Sequence, residues 1–109
     1  MKKNIIIVLG EPNSISSEIF LKSINYIKRT KLNFIIIGNY SLFKKQANYL
    51  NFKKHINFRL SKIDNLLKVK FNFINVDYKQ LKPFDLKTNK SDTFVKKCFE
   101  CAGSCLKEN

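Results

Sequence analysis

IIIVLGEPNSISSEI, residues Ile5 to Ile19, changes character twice within fifteen positions. Ile5-Ile6-Ile7-Val8-Leu9 is a continuous β-branched and apolar run, as suits a parallel strand covered on both faces. Gly10 to Ser14 breaks that run with turn residues. Ser16 or Ser17 is placed to cap a helix, and Glu18 sets a negative charge in its first turn. Ile19, Phe20, Ser23, Ile24 and Ile27 then follow at helical spacing, with Lys22, Asn25, Lys28 and Arg29 on the opposite face. Strand, turn and amphipathic helix in this order open an α/β domain.

The same alternation continues downstream. Phe34-Ile35-Ile36-Ile37 reads as a second buried strand closed by Gly38. Leu42, Phe43, Ala47, Leu50 and Phe52 mark the apolar face of a second helix. Ile56 to Leu60 alternates apolar with polar, which predicts a short strand open to water on one side. Phe71 to Val76 predicts another strand. Asp77 to Lys90 is a polar connection in which Pro83 argues against regular structure. Ser91-Asp92 starts a last helix, with Phe94, Val95, Cys98, Phe99, Ala102, Cys105 and Leu106 on its inner face. Strand–helix alternation of this kind predicts an α/β fold, a mainly parallel sheet flanked by helices. With 109 residues and 44% hydrophobic content, the chain has material for one modest core, so residues 1–109 are read as one α/β unit. No strand returns after the last helix. Ligands of open α/β sheets sit in a crevice at the carboxyl ends of the strands, and half of that crevice is expected to be absent.

The net charge is +13, with twenty-one Lys and Arg against eight Asp and Glu. Clustered cations favour nucleic acid or another anionic surface by releasing counterions. Here the lysines run from Lys2 to Lys107 without a long block. Arginine, the usual residue for bidentate phosphate and base contacts, occurs only as Arg29 and Arg59. The charge therefore reads as a solvated surface, and the expectation is against nucleic acid. The apolar run after Lys2-Lys3 is too short for a secretory signal. No stretch approaches the ~20 apolar residues of a membrane span. A cytoplasmic chain without membrane contact, its cysteines reduced, is the expectation.

Gly10-Glu11-Pro12-Asn13 lies at the carboxyl end of the first strand, where binding loops stand. Gly10 permits a tight turn, and Pro12 fixes its own φ and extends Glu11. The helix that follows could face an anion with its first N–H groups; an ordinary strand-to-helix turn needs the same residue types. The order of residues adds a resemblance. I-x-x-G-E-P-N-x-I-x-x-E-I is similar to the opening of the 4-hydroxythreonine-4-phosphate dehydrogenase family, with Gly10, Glu11, Pro12, Asn13, Ile15 and Glu18 matching and Ser14, Ser16 and Ser17 departing from its Gly, Gly and Pro. Phe34 to Gly38, Leu42, Leu50 and the helix from Phe94 to Leu106 extend the likeness at lower specificity.

The resemblance implies an incomplete part of an isocitrate/isopropylmalate dehydrogenase-like fold, covering the N-terminal part of a longer architecture. It implies NAD-dependent oxidation of 4-phosphooxy-threonine in pyridoxal phosphate (vitamin B6) biosynthesis, with NAD, a divalent metal, a phosphorylated small-molecule substrate and a homodimer in the full-length family. The family's metal-binding histidines lie beyond the matched region. No catalytic or metal residue is therefore carried onto this chain, which is expected to bind neither cofactor and to be inactive alone. Gly10, Glu11, Pro12 and Asn13 stay as the loop candidates for cofactor contact. The alternative is a small basic α/β protein that binds nucleic acid.

Two other groups of residues bear on chemistry. Cys98, Cys101 and Cys105 form C-x2-C-x3-C, a spacing to test for zinc or iron–sulfur. On a straight helix, however, the outer two are about 10 Å apart along the axis, too far for one ion with ~2.3 Å bonds to sulfur. Three small apolar residues on a buried helix face account for them better. His55, the single histidine, has no neighbour that would complete a triad.

Overall fold

The computed structural model describes residues 4–52 and 57–108; His55 lies outside them. The elements are β1 (Asn4–Val8), α1 (Ser16–Arg29), β2 (Asn33–Gly38), α2 (Tyr40–Tyr49), β3 (Arg59–Ser61), β4 (Phe71–Asn75) and α3 (Asn89–Glu108). They form an α/β fold with a four-stranded sheet, ordered β1-β2-β4-β3 and parallel at every pairing. β2 and β4 are the interior strands. Their residues are buried almost without interruption, in keeping with the uninterrupted apolar run of β2.

Alternation of side chains across the pleat divides the core in two. Phe34, Ile36, Phe71 and Phe73 point to the face covered by α1 and α2, where they meet Phe20, Leu21, Ile24 and Phe43. Ile35, Ile37 and Ile74 point to the other face, where Phe94, Cys98, Ala102 and Cys105 of α3 cover them. The molecule is thus a three-layer sandwich. The first layer is unusually aromatic: Phe73 stands 5.0 Å from the Tyr40 ring, 5.7 Å from Phe43 and 5.8 Å from Phe58, measured between ring centroids.

Three local expectations are corrected. Of the strand expected over Ile56–Leu60, Ile56 lies outside the described residues, and the paired residues are Arg59–Ser61, against Asn72, Phe73 and Ile74. Phe58, just before the paired residues, stands in the aromatic layer, its ring centroid 6.3 Å from Phe20 and 5.5 Å from both Phe43 and Phe71. Neither Ser16 nor Ser17 caps α1: the N-cap residue is Ile15. Ser14 does that work from one residue further out, its Oγ accepting from the Ser16 N–H at 3.2 Å and donating to the Glu11 carbonyl at 2.8 Å. The last helix starts at Asn89, two residues before Ser91. Thr88 and Ser91 cap it reciprocally, each backbone N–H donating to the other's hydroxyl at 3.0 and 3.3 Å.

Candidate functional site

Two places at the carboxyl ends of the strands differ sharply. The first surrounds Gly10-Glu11-Pro12-Asn13, the loop singled out in the sequence. Gly10 takes φ +73°, a left-handed conformation that lets the chain leave β1 and turn back toward α1. Asn13 closes the turn by donating its N–H to the Glu11 carboxylate at 3.2 Å.

Its side chain does something else. Asn13 Oδ1 accepts from the Gln80 side chain and from the Asp85 N–H, both at 2.8 Å, and Asn13 Nδ2 donates to the Leu86 carbonyl. Gln46 of α2, 2% exposed, reaches the same point from beneath. Its Nε2 donates to the Pro12 carbonyl at 2.6 Å and the Pro83 carbonyl at 2.9 Å, while its Oε1 accepts from the Ser17 hydroxyl at 2.5 Å. The segment 77–88 is therefore drawn across the loop and fastened there. What remains between Leu9, Gly10, Gly38, Gln46 and Phe94 is about 10 Å³, the space of a single water at most. The chain's own polar connection lies across the expected half-crevice, and Gly10 and Pro12 border this small space.

The second place lies on the far side of β2. A cleft of about 710 Å³ opens where the ends of β3 and β4 meet the start of α2, within the size range of small-molecule sites. Leu60 and Leu67 form apolar wall; Tyr40, Ser41, Ser61, Lys62, Asn65 and Asn75 supply polar groups. Asn75 Oδ1 accepts from the Tyr40 N–H at 2.8 Å, and Asn39 Oδ1 from the Leu42 N–H at 3.0 Å. Between those two engaged donors stands Ser41, exposed on the second position of α2. The positive end of the helix dipole and the exposed Lys62 give the cleft a cationic character. Leu60, 57% exposed, lines its outer wall. Sequence reading missed this cleft because it is assembled from three elements, and its β3 side rests on a pairing that the alternation pattern misplaced.

The cysteines belong to the core. Cys98 and Cys105 have no exposed surface and pack beneath α3 against the sheet; Cys101 is half-buried. Burial first, and the neighbouring Cys101 second, push the Cys98 thiol up to about 12 and the Cys105 thiol up to about 11. Burial raises Cys101 also. Such thiols are poor thiolates and poor metal ligands. Among the described residues, no group of three or more His, Cys, Asp or Glu is placed to hold a metal ion. No helix among them is long and apolar enough to cross a membrane.

No model of a known protein family matches the chain. The chain is similar to the oligopeptide transport ATP-binding protein OppF of Mycoplasma genitalium, at 34% identity over 99 residues. That match takes in 87% of this chain and 11% of OppF, so the chain spans about a tenth of that protein's length. The finding overturns the dehydrogenase resemblance, and the NAD-dependent oxidation and vitamin B6 pathway that it implied go with it. The structure supplies a physical reason why the motif misled. Gly10 is there for its left-handed φ, Glu11 to close the turn, and Pro12 and Asn13 to receive Gln46 and the 77–88 segment. The residue order meets local needs of a strand-to-helix turn, needs that recur in unrelated α/β proteins.

Proposed function

We propose that the chain is an α/β binding domain, not a catalyst, and that its cleft between α2, β3 and β4 takes a small anionic ligand. The observation that carries this reading is the position of the cleft. It stands at the carboxyl ends of parallel strands, under a helix N-terminus, with Ser41 and Lys62 on its walls. Phosphate- and carboxylate-bearing molecules suit such a setting. OppF is named an ATP-binding protein, and that makes adenine nucleotide the ligand class to try first.

The residues at the β1–α1 turn do not fit a phosphate-cradling P-loop of the form G-x-x-x-x-G-K-[ST]. From Gly10, the second glycine's place holds Ile15 and the lysine's place holds Ser16. Glu11 would repel a phosphate there, and Asn13 is already committed to the 77–88 segment. Nucleotide hydrolysis is accordingly no part of the proposal. The larger dehydrogenase-like architecture loses its support with the resemblance, and the three-layer α/β fold is what the reading keeps.

The test is titration of the isotope-labelled chain with ATP, ADP and inorganic phosphate, followed through backbone amide shifts. Saturable shifts at Ser41, Lys62, Asn65 and Asn75 are expected, with at least fivefold weaker binding in Lys62→Met. Shifts confined to Gly10–Asn13, or binding indifferent to Lys62→Met, would place the ligand elsewhere and defeat the assignment. Absence of any saturable shift up to millimolar ligand would remove the anionic-ligand reading.

A further inference from the structure

The fold sorts charge along the strand direction in a way that the linear sequence does not display. At the carboxyl ends of the sheet, lysines are interspersed with Glu11, Asp77, Asp85 and Asp92, and Asp92 holds Lys87 in an ion pair at 3.4 Å. The amino ends of β2, β3 and β4 are different. Lys28 and Arg29 occupy the last turn of α1, and Lys31 the connection into β2. Lys68 and Lys70 lead into β4, and Arg59 begins β3. The segments that carry these six cations, 28–33, 57–60 and 68–72, contain no acidic residue.

The sheet brings those segments together. β2, β4 and β3 are neighbours, and adjacent strands lie about 4.8 Å apart, so their three starting points fall within about 10 Å of one another. Contacts pin two of the segments directly: Phe34 donates its N–H to the Lys70 carbonyl at 2.8 Å, and the Lys70 ammonium donates to the Thr30 carbonyl and hydroxyl. Lys70 also lies over the Phe34 ring at 5.4 Å. Lys28, Arg29, Lys31, Arg59 and Lys68 are all exposed. Like charges crowded on a rim repel one another, and a surface of opposite sign relieves that repulsion.

We infer that this rim docks on an anionic lipid surface. Three observations favour a membrane over a nucleic acid. Four of the six cations are lysines, which act as point charges on headgroups and lack the fork that reads bases. The two aromatic rings at the start of β2 and β4, Phe34 and Phe71, are buried and stacked on each other, so neither is offered to a base. Tyr26, one turn before Arg29 on α1, is 78% exposed, and an exposed tyrosine beside cations is the composition of a membrane–water interface.

The experiment is flotation of the full chain with vesicles of phosphatidylcholine containing 30 mol% phosphatidylglycerol (a composition chosen for the assay), against vesicles of phosphatidylcholine alone. The wild-type chain should float with the anionic vesicles only and be released by raised salt. Lys31→Glu/Arg59→Glu/Lys68→Glu should lower its partitioning at least tenfold. Lys79→Glu/Lys82→Glu/Lys90→Glu, which removes the same charge from the opposite end, should lower it less than threefold. Equal losses would mean that net charge alone attracts the vesicle, and the rim would not be the docking surface. Tighter retention on a DNA or RNA oligonucleotide than on vesicles at matched salt would overturn the lipid assignment. Circular dichroism checks that both triple variants fold, and Lys31→Gln/Arg59→Gln/Lys68→Gln repeats the comparison if reversal unfolds the chain. Nucleotide titration reads the other end of the sheet, so either assignment can fail while the other stands.

Discussion

The Gln46 side-chain amide lies 2.6 Å from the Pro12 carbonyl oxygen, and this bond ties the middle of α2 to the turn after β1. The same amide holds Pro83, and its oxygen takes the Ser17 hydroxyl. Every polar atom of this buried side chain is therefore engaged, as burial demands. Gln46→Leu keeps most of the volume but leaves the Ser17 hydroxyl and two carbonyls without that partner. Destabilisation of about 2–4 kcal/mol is expected in urea unfolding. Amide exchange should accelerate first over residues 80–88, while β2 and β4 stay protected. Unchanged exchange over 80–88 would show that Asn13 and Gln80 fasten the segment without Gln46.

What the chain made legible before its structure was known divides by range. Ile5–Leu9, Phe34–Ile37 and the spacing of Phe20, Ile24 and Ile27 reported strands and a helix because their periodicities are local. The insertion of β4 between β2 and β3 has no such signature, since parallel neighbours are chosen by packing across crossovers. The same reason hid the role of Asp77–Lys90. Its fastening depends on Asn13–Asp85 and Gln46–Pro83 bonds that span 72 and 37 positions of the chain. Gln46, a polar residue spaced onto the inner face of α2 with Leu42 and Phe43, is the local signal that the sequence reading passed over. The loop Gly10–Asn13 reads as a turn and is one, with Gly10 in the left-handed conformation; the family resemblance in its residue order was overturned, because a turn and a binding loop ask for the same residues.

Gly10 and Gly103 should respond to alanine in opposite senses. Gly10 has φ +73°, and its nearest neighbour to an added Cβ is Ser16 Oγ at 3.9 Å, so space is ample and only the backbone conformation resists. Gly10→Ala is expected to cost about 1–2 kcal/mol. Gly103 lies inside α3 with nothing within 4 Å of an added Cβ. Gly103→Ala should stabilise by about 0.5–1 kcal/mol, since alanine fixes less backbone entropy in a helix. Thermal unfolding resolves both, at about 4–8 °C per kcal/mol for a domain near this size. A stabilising Gly10→Ala would mean that the turn does not hold its left-handed conformation.

The thiols under α3 set a pH limit on stability. Cys98 is pushed up to about 12 and Cys105 to about 11, chiefly by burial, from an ordinary value of 9.0. Between pH 9 and 11 the unfolded chain gives up thiol protons that the folded chain retains. The folded state then binds more protons, so the unfolding free energy falls as pH rises through this window. Below pH 9 the contribution is complete. The discriminating quantity is a difference in slope: Cys98→Ala/Cys105→Ala should show a shallower loss of stability from pH 9 to 11 than the wild-type chain. Iodoacetamide supplies an independent reading at pH 8. Cys98 and Cys105 should label only as fast as α3 lifts from the sheet, orders of magnitude below a free thiol, and denaturant should release them together. Rapid labelling of Cys98 in the native chain would show that α3 is not held against Ile35, Ile37 and Ile74, and the second layer of the core would have to be redrawn.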